Sequence, residues 1–342
     1  MSATIRVAVV GVGHLGKEHA RVYAELAKAH QVYFVGVFDT NSINARHIAE
    51  RHGVRAFESV EKLADECDAA SIVTPTLTHF KLGKLLIERR KHVLVEKPMT
   101  ENAAHAEELV RLAQQRDLIL QVGHIERFNP VLKYLEGVAT HPRFIEVHRL
   151  SPYPERSIEI GVVLDLMIHD LDVVLSLVRS PLAAVDAVGV PVLSASEDIA
   201  NARLRFENGC VANLTVSRIS PEKMRKIRVF SGAGVDSTAV YISLDYMRQE
   251  GEIYRIAANE ERESSLLKKL IAGKDAKIVS EFAGKKIVRE PVPIEKDEPL
   301  KLELASFVDC VRQHRQPVVS GVTAKRALDV ALQITDLIRA RK

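Results

Sequence analysis

Short, β-branched apolar runs alternate with longer helical patterns through the first third of the chain. Ile5–Val10, Val32–Phe38, Asp68–Val73, His92–Val95 and Ile119–Val122 read as strands, and runs this continuously apolar suit a sheet covered on both faces. Between them, Leu15–Ala29, Asn44–His52, His79–Arg90 and Asn102–Arg116 carry helical patterns. Strands alternating with helices predict βαβ units and a parallel sheet. Beyond about residue 140 the pattern changes. One helix is predicted over Gly161–Val178, stopped by Ser180-Pro181. Strand patterns follow at Ala184–Val192, Asn201–Phe206, Cys210–Val216 and Lys226–Phe230, with Glu207-Asn208-Gly209 placed as a hairpin turn. That spacing predicts an antiparallel sheet. The stretch Ala257–Pro299 is charge-rich with weak periodicity, as loops and an edge strand are, and helices Leu302–His314 and Ala324–Arg341 close the chain.

The fold class is therefore α/β: an N-terminal doubly wound parallel sheet, then an α+β domain with an open, mostly antiparallel sheet. The expected domains are 1–123 and 124–342, with helix 324–341 packing back on the first. The length of 342 residues agrees with two domains at roughly 150 residues each. Hydrophobic residues at 46% and charged residues at 27% fit a folded globular chain. Lys plus Arg at 48 against Asp plus Glu at 45 leaves a net charge of +3. So even a balance argues against nucleic acid as a partner, since phosphate contacts need a basic excess. Cys67, Cys210 and Cys310 are odd in number and far apart, without metal or CxxC spacing. This suits a reducing compartment. No secretory signal and no apolar run long enough to cross a bilayer are visible, so the expectation is a cytoplasmic protein with no membrane partner.

Gly11-Val-Gly13-His14-Leu15-Gly16 is a GxGxxG turn that follows a strand and opens a helix. Glycines there allow the tight turn, close backbone approach to a pyrophosphate, and helix–strand packing. The helix N-terminus offers amides and a positive dipole end to the phosphates. Asp39 ends the second strand, where a carboxylate accepts hydrogen bonds from both adenosine ribose hydroxyls and repels a 2′-phosphate. The cofactor expected is NAD, with NADP left open because Arg46 lies near in sequence. Thr74 and Pro75 end the third apolar run, at a strand terminus where such sheets bind ligands, and His79 stands close by.

Glu96-Lys97-Pro98 follows Val93-Leu94-Val95 at another strand end. An ammonium there can stabilise a developing alkoxide; from position alone a solvated lysine is an equal reading. Asp165 and His169 are spaced to share one helix face. A carboxylate beside an imidazole orients it and raises its basicity, and an alcohol needs a base to take its proton as hydride departs. A structural His–Asp pair, or a metal held by Asp165, His169 and Asp172, competes with this reading. Ligands from one helix alone argue against metal, and none is assigned.

In order along the chain, Gly11–Gly16, Asp39, Thr74-Pro75, Glu96-Lys97-Pro98, Arg127-Phe128, the Asp165/His169 helix and the closing helices resemble the glucose–fructose oxidoreductase, inositol dehydrogenase and MocA (Gfo/Idh/MocA) family of NAD(P)-dependent sugar oxidoreductases. The resemblance implies a Rossmann domain followed by an α/β domain whose open sheet forms a homodimer or homotetramer. It also implies a catalytic triad of Lys97, Asp165 and His169. Val122–Pro130 and Gly161–Asp170 are similar to the branch acting on UDP-N-acetylglucosamine. This implies oxidation of the sugar 3-hydroxyl to a ketone. The nucleotide sugar is expected to meet Lys97, Asp165 and His169, with Arg127, Asn129, Arg156 and Ser157 reaching the sugar or diphosphate. Arg149 and Arg156 supply guanidiniums that can pair bidentately with phosphate. Glu126 is expected to pair with Arg127 or face away. The remaining readings, in order, are a dehydrogenase of a free polyol such as inositol, a non-catalytic dinucleotide-sensing module, and a metal phosphohydrolase built on His169-Asp170, which leaves Gly11–Gly16 without a role.

Overall fold

The computed structural model describes residues 4–153, 160–232, 239–256, 277–282 and 285–340. Two compact units divide the chain: Met1–Phe128 with Glu298–Leu332, and Asn129–Asp297 with Gln333–Lys342.

In the first unit, β1 (Arg6–Val10), β2 (Tyr33–Phe38), β3 (Arg55–Ala56), β4 (Ala69–Ile72), β5 (His92–Glu96) and β6 (Leu120–Gly123) form one sheet. Its order is β3-β2-β1-β4-β5-β6, and every pairing is parallel. Val7, Ala8, Val9 and Val10 are fully buried, as a strand covered on both faces requires. Helices α1 (Gly16–Lys28), α2 (Ser42–His52), α3 (Val60–Glu66), α4 (Thr76–Glu88) and α5 (Ala103–Gln115) make the crossovers. Several start on side-chain caps. Asn41 accepts from the amides of Ile43 and Asn44, Ser59 from Lys62, and Asn102 from His105. The two-residue β3 and the seven-residue α3 are too short for periodicity to reveal. Chain order reverses between β1 and β4, and the ends of those strands carry the glycine turn and Thr74-Pro75.

From the other end of the chain, α8 (Pro299–Gln313) contributes Leu300, Leu304, Phe307 and Val311 to the core that holds Val9, Tyr23 and Phe34. The last helix, α9 (Gly321–Arg339), follows it.

The second unit is built on a nine-stranded sheet. Its strands are β7 (Pro142–Leu150), β8 (Leu182–Val190), β9 (Ile199–Phe206), β10 (Val211–Ser217), β11 (Met224–Ser231), β12 (Val240–Asp245), β13 (Glu250–Ile256), β14 (Lys277–Phe282) and β15 (Lys285–Pro291). The order is β14-β15-β13-β12-β11-β7-β10-β9-β8. All neighbours are antiparallel except β7 and β10, which run parallel. The Asn208-Gly209 turn joins β9 to β10, and Gly209 takes the left-handed φ of 81° that the turn needs. The charge-rich stretch supplies the edge strand β14 and also β15, one place further in.

One face of this sheet buries Ile145, Val147, Leu204, Leu214, Val216, Ile227, Val229 and Leu244. The other carries a cross-strand row of rings. Phe144–Phe230, Phe230–Tyr241 and Tyr241–Tyr254 have centroids 6.0, 4.4 and 5.2 Å apart. Phe230 is 43% exposed. Before the sheet comes α6 (Pro130–Val138). After β7, a π-helical turn at Val163–Met167 runs into α7 (Ile168–Val178). The continuous helix expected over 161–178 is thus wound differently in its first part. Among the described residues no helix is long and apolar enough to cross a membrane.

Candidate active site

The glycine turn is shaped by close approach. A Cβ on Gly11, whose φ is 90°, would stand 2.5 Å from the Val73 carbonyl oxygen. One on Gly16 would stand 1.9 Å from the Gly11 carbonyl oxygen. Gly13 differs: no heavy atom beyond its chain neighbours lies within 4 Å of that position, so its backbone faces open space. His14 and Leu15 are exposed beside it. A turn packed at its two outer glycines and open at the middle one suits a pyrophosphate at the start of α1.

Asp39 is fixed at the end of β2. Its Oδ2 accepts from the Val12 amide at 2.8 Å and its Oδ1 from the Asn41 amide at 2.8 Å. It lines a cleft of about 670 Å³ with Gly11, Gly13, Thr74, Pro75 and Lys81. The cleft is large enough for a group the size of adenosine, and Asp39 would accept from its ribose hydroxyls. These residues therefore fit a nicotinamide dinucleotide.

At the ends of β4 and β5 the side chains brace the turns. The ring of His79 is 1% exposed. Its Nδ1 lies 2.9 Å from the Pro98 carbonyl oxygen and its Nε2 2.8 Å from that of Thr74. Burial pushes its pKa down against the pull of those carbonyls. His79 thus ties together the two turns that carry Thr74-Pro75 and Lys97. The Lys97–Pro98 peptide is cis.

Glu96 turns inward. Its Oε1 is 3.1 Å from His19 Nε2, and its Oε2 accepts from the Lys97 amide at 3.3 Å. It lies over Gly123, where a Cβ would come within 2.5 Å of Oε1. Near it lies an acid that carries no motif or spacing signal. Glu303 of α8 is fully buried, and neither carboxyl oxygen has a hydrogen-bond partner among the described residues. Burial, and then the Glu96 carboxylate, push its pKa well up.

In the second unit, Asp165 lies in the π-helical turn and His169 one turn later in α7. His169 is 9% exposed and Asp165 half-buried. Next to His169, Asp170 receives a bidentate pair from Arg149 of β7, Nε to Oδ2 and Nη2 to Oδ1, both 2.8 Å. The guanidinium expected to face a phosphate is engaged inside the unit. Asn129 serves as the cap of α6. Its Oδ1 accepts from the Val131 amide at 3.2 Å, and its Nδ2 donates to the Tyr246 carbonyl at 3.1 Å. Arg127 is half-buried and Glu126 buried on the 3₁₀ turn Ile125–Phe128 of the first unit. Arg156 and Ser157 lie outside the described residues. Asp172 is buried on α7, and among the described residues no group of three or more His, Cys, Asp or Glu is placed to hold a metal.

A parallel sheet with a dinucleotide turn at its switch point, followed by a unit presenting a helical Asp–His pair, defines a nicotinamide-dependent oxidoreductase acting on CH–OH groups. The chain belongs to the Gfo/Idh/MocA family: residues 5–124 match the oxidoreductase family's NAD-binding Rossmann fold, and residues 135–235 match its C-terminal domain. It is similar to UDP-N-acetylglucosamine 3-dehydrogenase of Acidithiobacillus ferrooxidans, 36% identical over 337 residues, covering 98% of both chains. The solved structure of that enzyme superposes with a TM-score of 0.84 over 99% of each chain, at 35% identity. A weaker likeness, 26% identical over 99% of this chain and 95% of the relative, is to scyllo-inositol 2-dehydrogenase (NAD(+)) of Bacillus subtilis.

Proposed function

We propose that this protein oxidises the 3-hydroxyl of UDP-N-acetylglucosamine to a ketone with NAD as the oxidant. The observation that carries the reading is full-length likeness, 36% identical over 98% of both chains, to an enzyme named for that substrate and position. NAD rather than NADP is supported by Asp39, whose two oxygens are held by backbone amides and whose charge opposes a 2′-phosphate.

His169 takes the proton of the sugar hydroxyl, oriented by Asp165 one turn before it. Lys97 donates a hydrogen bond to the same oxygen and stabilises its growing negative charge. When bound, the cofactor supplies the acceptor for the hydride that leaves the carbon. Of the groups expected at the diphosphate, Arg127 is retained here. Asn129 is not, since both ends of its amide are used within the fold.

The test is absorbance at the reduced-nicotinamide band, with NAD or NADP and a panel of UDP-sugars and inositols. UDP-N-acetylglucosamine with NAD is expected to give the highest kcat/KM. Lys97→Ala and His169→Asn should each lower kcat by about 10²–10⁴, with NAD affinity little changed. An inositol preferred over every UDP-sugar overturns the substrate, and full turnover in either variant removes that residue from the chemistry.

The same reading places the protein in the cytoplasm, in keeping with three free, buried cysteines. Burial pushes Cys67 up to about 12 and Cys210 up to about 11, so neither is a reactive thiolate. It also gives the exposed row of rings on the second unit's sheet to another copy of this chain. Sedimentation should return a dimer or tetramer, and a monomer at micromolar concentration would count against that assignment.

A further inference from the structure

The turn that carries Asp165 has no cap of its own. No side chain from the residue before it reaches its free amides. A helix start that is buried needs partners for those donors. They come from a distant segment, residues 191–198, which follows β8. The Glu197 carbonyl oxygen accepts from the Val162 amide at 3.0 Å, and its carboxylate Oε1 faces the Val163 amide at 3.4 Å. The carboxylate also lies where a side chain on Gly161 would be: a Cβ there would stand 1.8 Å from Oε1. Glycine is needed at 161 so that Glu197 can close over the turn, and the Gly161 carbonyl then accepts from the Asp165 amide at 3.1 Å.

Glu197 is itself held. It is 4% exposed, and its neighbour Asp198 and Arg218 are fully buried. Asp198 Oδ2 accepts from the amides of Val192, Leu193 and Ser194 at 2.8, 2.6 and 2.9 Å. Its Oδ1 accepts from Arg218 Nε at 2.8 Å. Arg218 Nη1 donates to the Ile160 carbonyl at 2.8 Å, directly before Gly161. Its Nη2 donates to the hydroxyls of Ser194 and Ser196 at 2.8 and 3.0 Å. One guanidinium therefore joins the segment bearing Glu197 to the residue at which the turn begins.

We propose that Glu197, locked by the Arg218–Asp198 pair, is a positioning residue: it caps the π-helical turn from outside and fixes the direction of Asp165 and His169. The inference rests on the reading of Asp165 and His169 as the acid–base pair. A π-helical turn is a local departure from the α-helix, frequently found at functional sites. Here a cap from a distant segment and a glycine contact stand at its start.

Two variants separate capping length from charge. Glu197→Gln keeps an oxygen at the same reach. Glu197→Asp keeps the charge but withdraws it by one methylene. With NAD and UDP-N-acetylglucosamine, Glu197→Asp should lower kcat by about ten- to a hundredfold, the scale expected for displaced catalytic groups. Its sugar KM should move less than threefold, and its NAD affinity, read by fluorescence, should hold. The pH profile of kcat should shift, because the partner that sets the basicity of His169 has turned. Glu197→Gln should keep at least half of kcat. Wild-type kcat and pH profile in Glu197→Asp overturn the proposal, and so does a loss in Glu197→Gln as large as or larger than that in Glu197→Asp, which would show that an oxygen at the right reach is not what the turn needs. His169→Asn, assayed alongside, separates the two levels. Full activity there removes the acid–base reading; no activity there with a wild-type Glu197→Asp removes only the cap.

Discussion

Glu303 in the first unit and Asp198 in the second are carboxyl groups with no exposed surface, and their surroundings treat them in opposite ways. Asp198 accepts from three backbone amides, a serine hydroxyl and a guanidinium. Burial alone would raise its pKa, but the Val192 amide, the Arg218 guanidinium and their neighbours outweigh it and hold the group well below the usual carboxylate range. Glu303 has no such donors. Burial and the nearby Glu96 carboxylate push its pKa well up, which favours the uncharged form. A buried charge survives only where partners replace its hydration; otherwise the group gives up the charge. The second unit places paired charge around the helix that bears Asp165 and His169, both at Arg218–Asp198 and at Arg149–Asp170. The first unit offers its ligand backbone, glycine and helix end, and its buried Glu303 has no donor among the described residues to hold a charge.

The largest effect that tests this contrast lies at Arg149. Arg149→Met leaves Asp170 charged and buried without its counter-ion, at a cost of about 3–5 kcal/mol and a fall in Tm on the order of 10 °C. Adding Asp170→Leu should restore most of that loss, because removing both partners removes the penalty. Scanning calorimetry of the single and double variants decides it, and an unchanged Tm in Arg149→Met would show that the pair is not needed.

A smaller effect, of opposite sign, is expected at Glu303. The folded protein keeps this carboxyl protonated at pH values where the unfolded chain, with an ordinary glutamate near 4.5, has released it. The group's contribution to stability is complete below the unfolded value and declines as pH rises towards the folded one. Glu303→Gln removes that proton from the balance. Relative to the wild type, its Tm should therefore rise progressively from pH 5 to pH 8, by a few degrees. A difference that stays constant with pH would mean that Glu303 is not neutral in the native state.

Much of the first unit was legible because its signals are local. Val7–Val10 reads as a buried strand, Gly11 and Gly16 as positions where a Cβ cannot fit, and Asp39 as a strand-end carboxylate. Each depends on a few consecutive residues, and each has its structural counterpart. Residues whose role depends on distant partners were read less well. Asn129 is expected from the sequence at the sugar or diphosphate, with turn formation as the other reading; Pro130 directly after it is a signal of a helix start, and in the structure Asn129 caps that helix. Strand β7 was not anticipated. Its residues Phe144, Glu146 and His148 alternate with Ile145, Val147 and Arg149, and a buried arginine breaks the apolar period that reveals a strand.

Taken alone, the amino-acid order determined the two-part architecture, the dinucleotide turn, and the spacing that puts Asp165 and His169 on successive turns of one helix. These follow from backbone sterics, strand and helix periods, and the needs of a phosphate near a helix end, all of which act over a handful of residues. Tertiary structure decided how that helix begins and which buried charges persist. Glu197 reaches Val163, Arg218 reaches Ile160, and Glu303 meets Glu96 across 207 positions of chain. Such contacts depend on which surfaces are stacked, and the energy of a buried ionisable group is set by the few donors and acceptors that packing brings within hydrogen-bond reach.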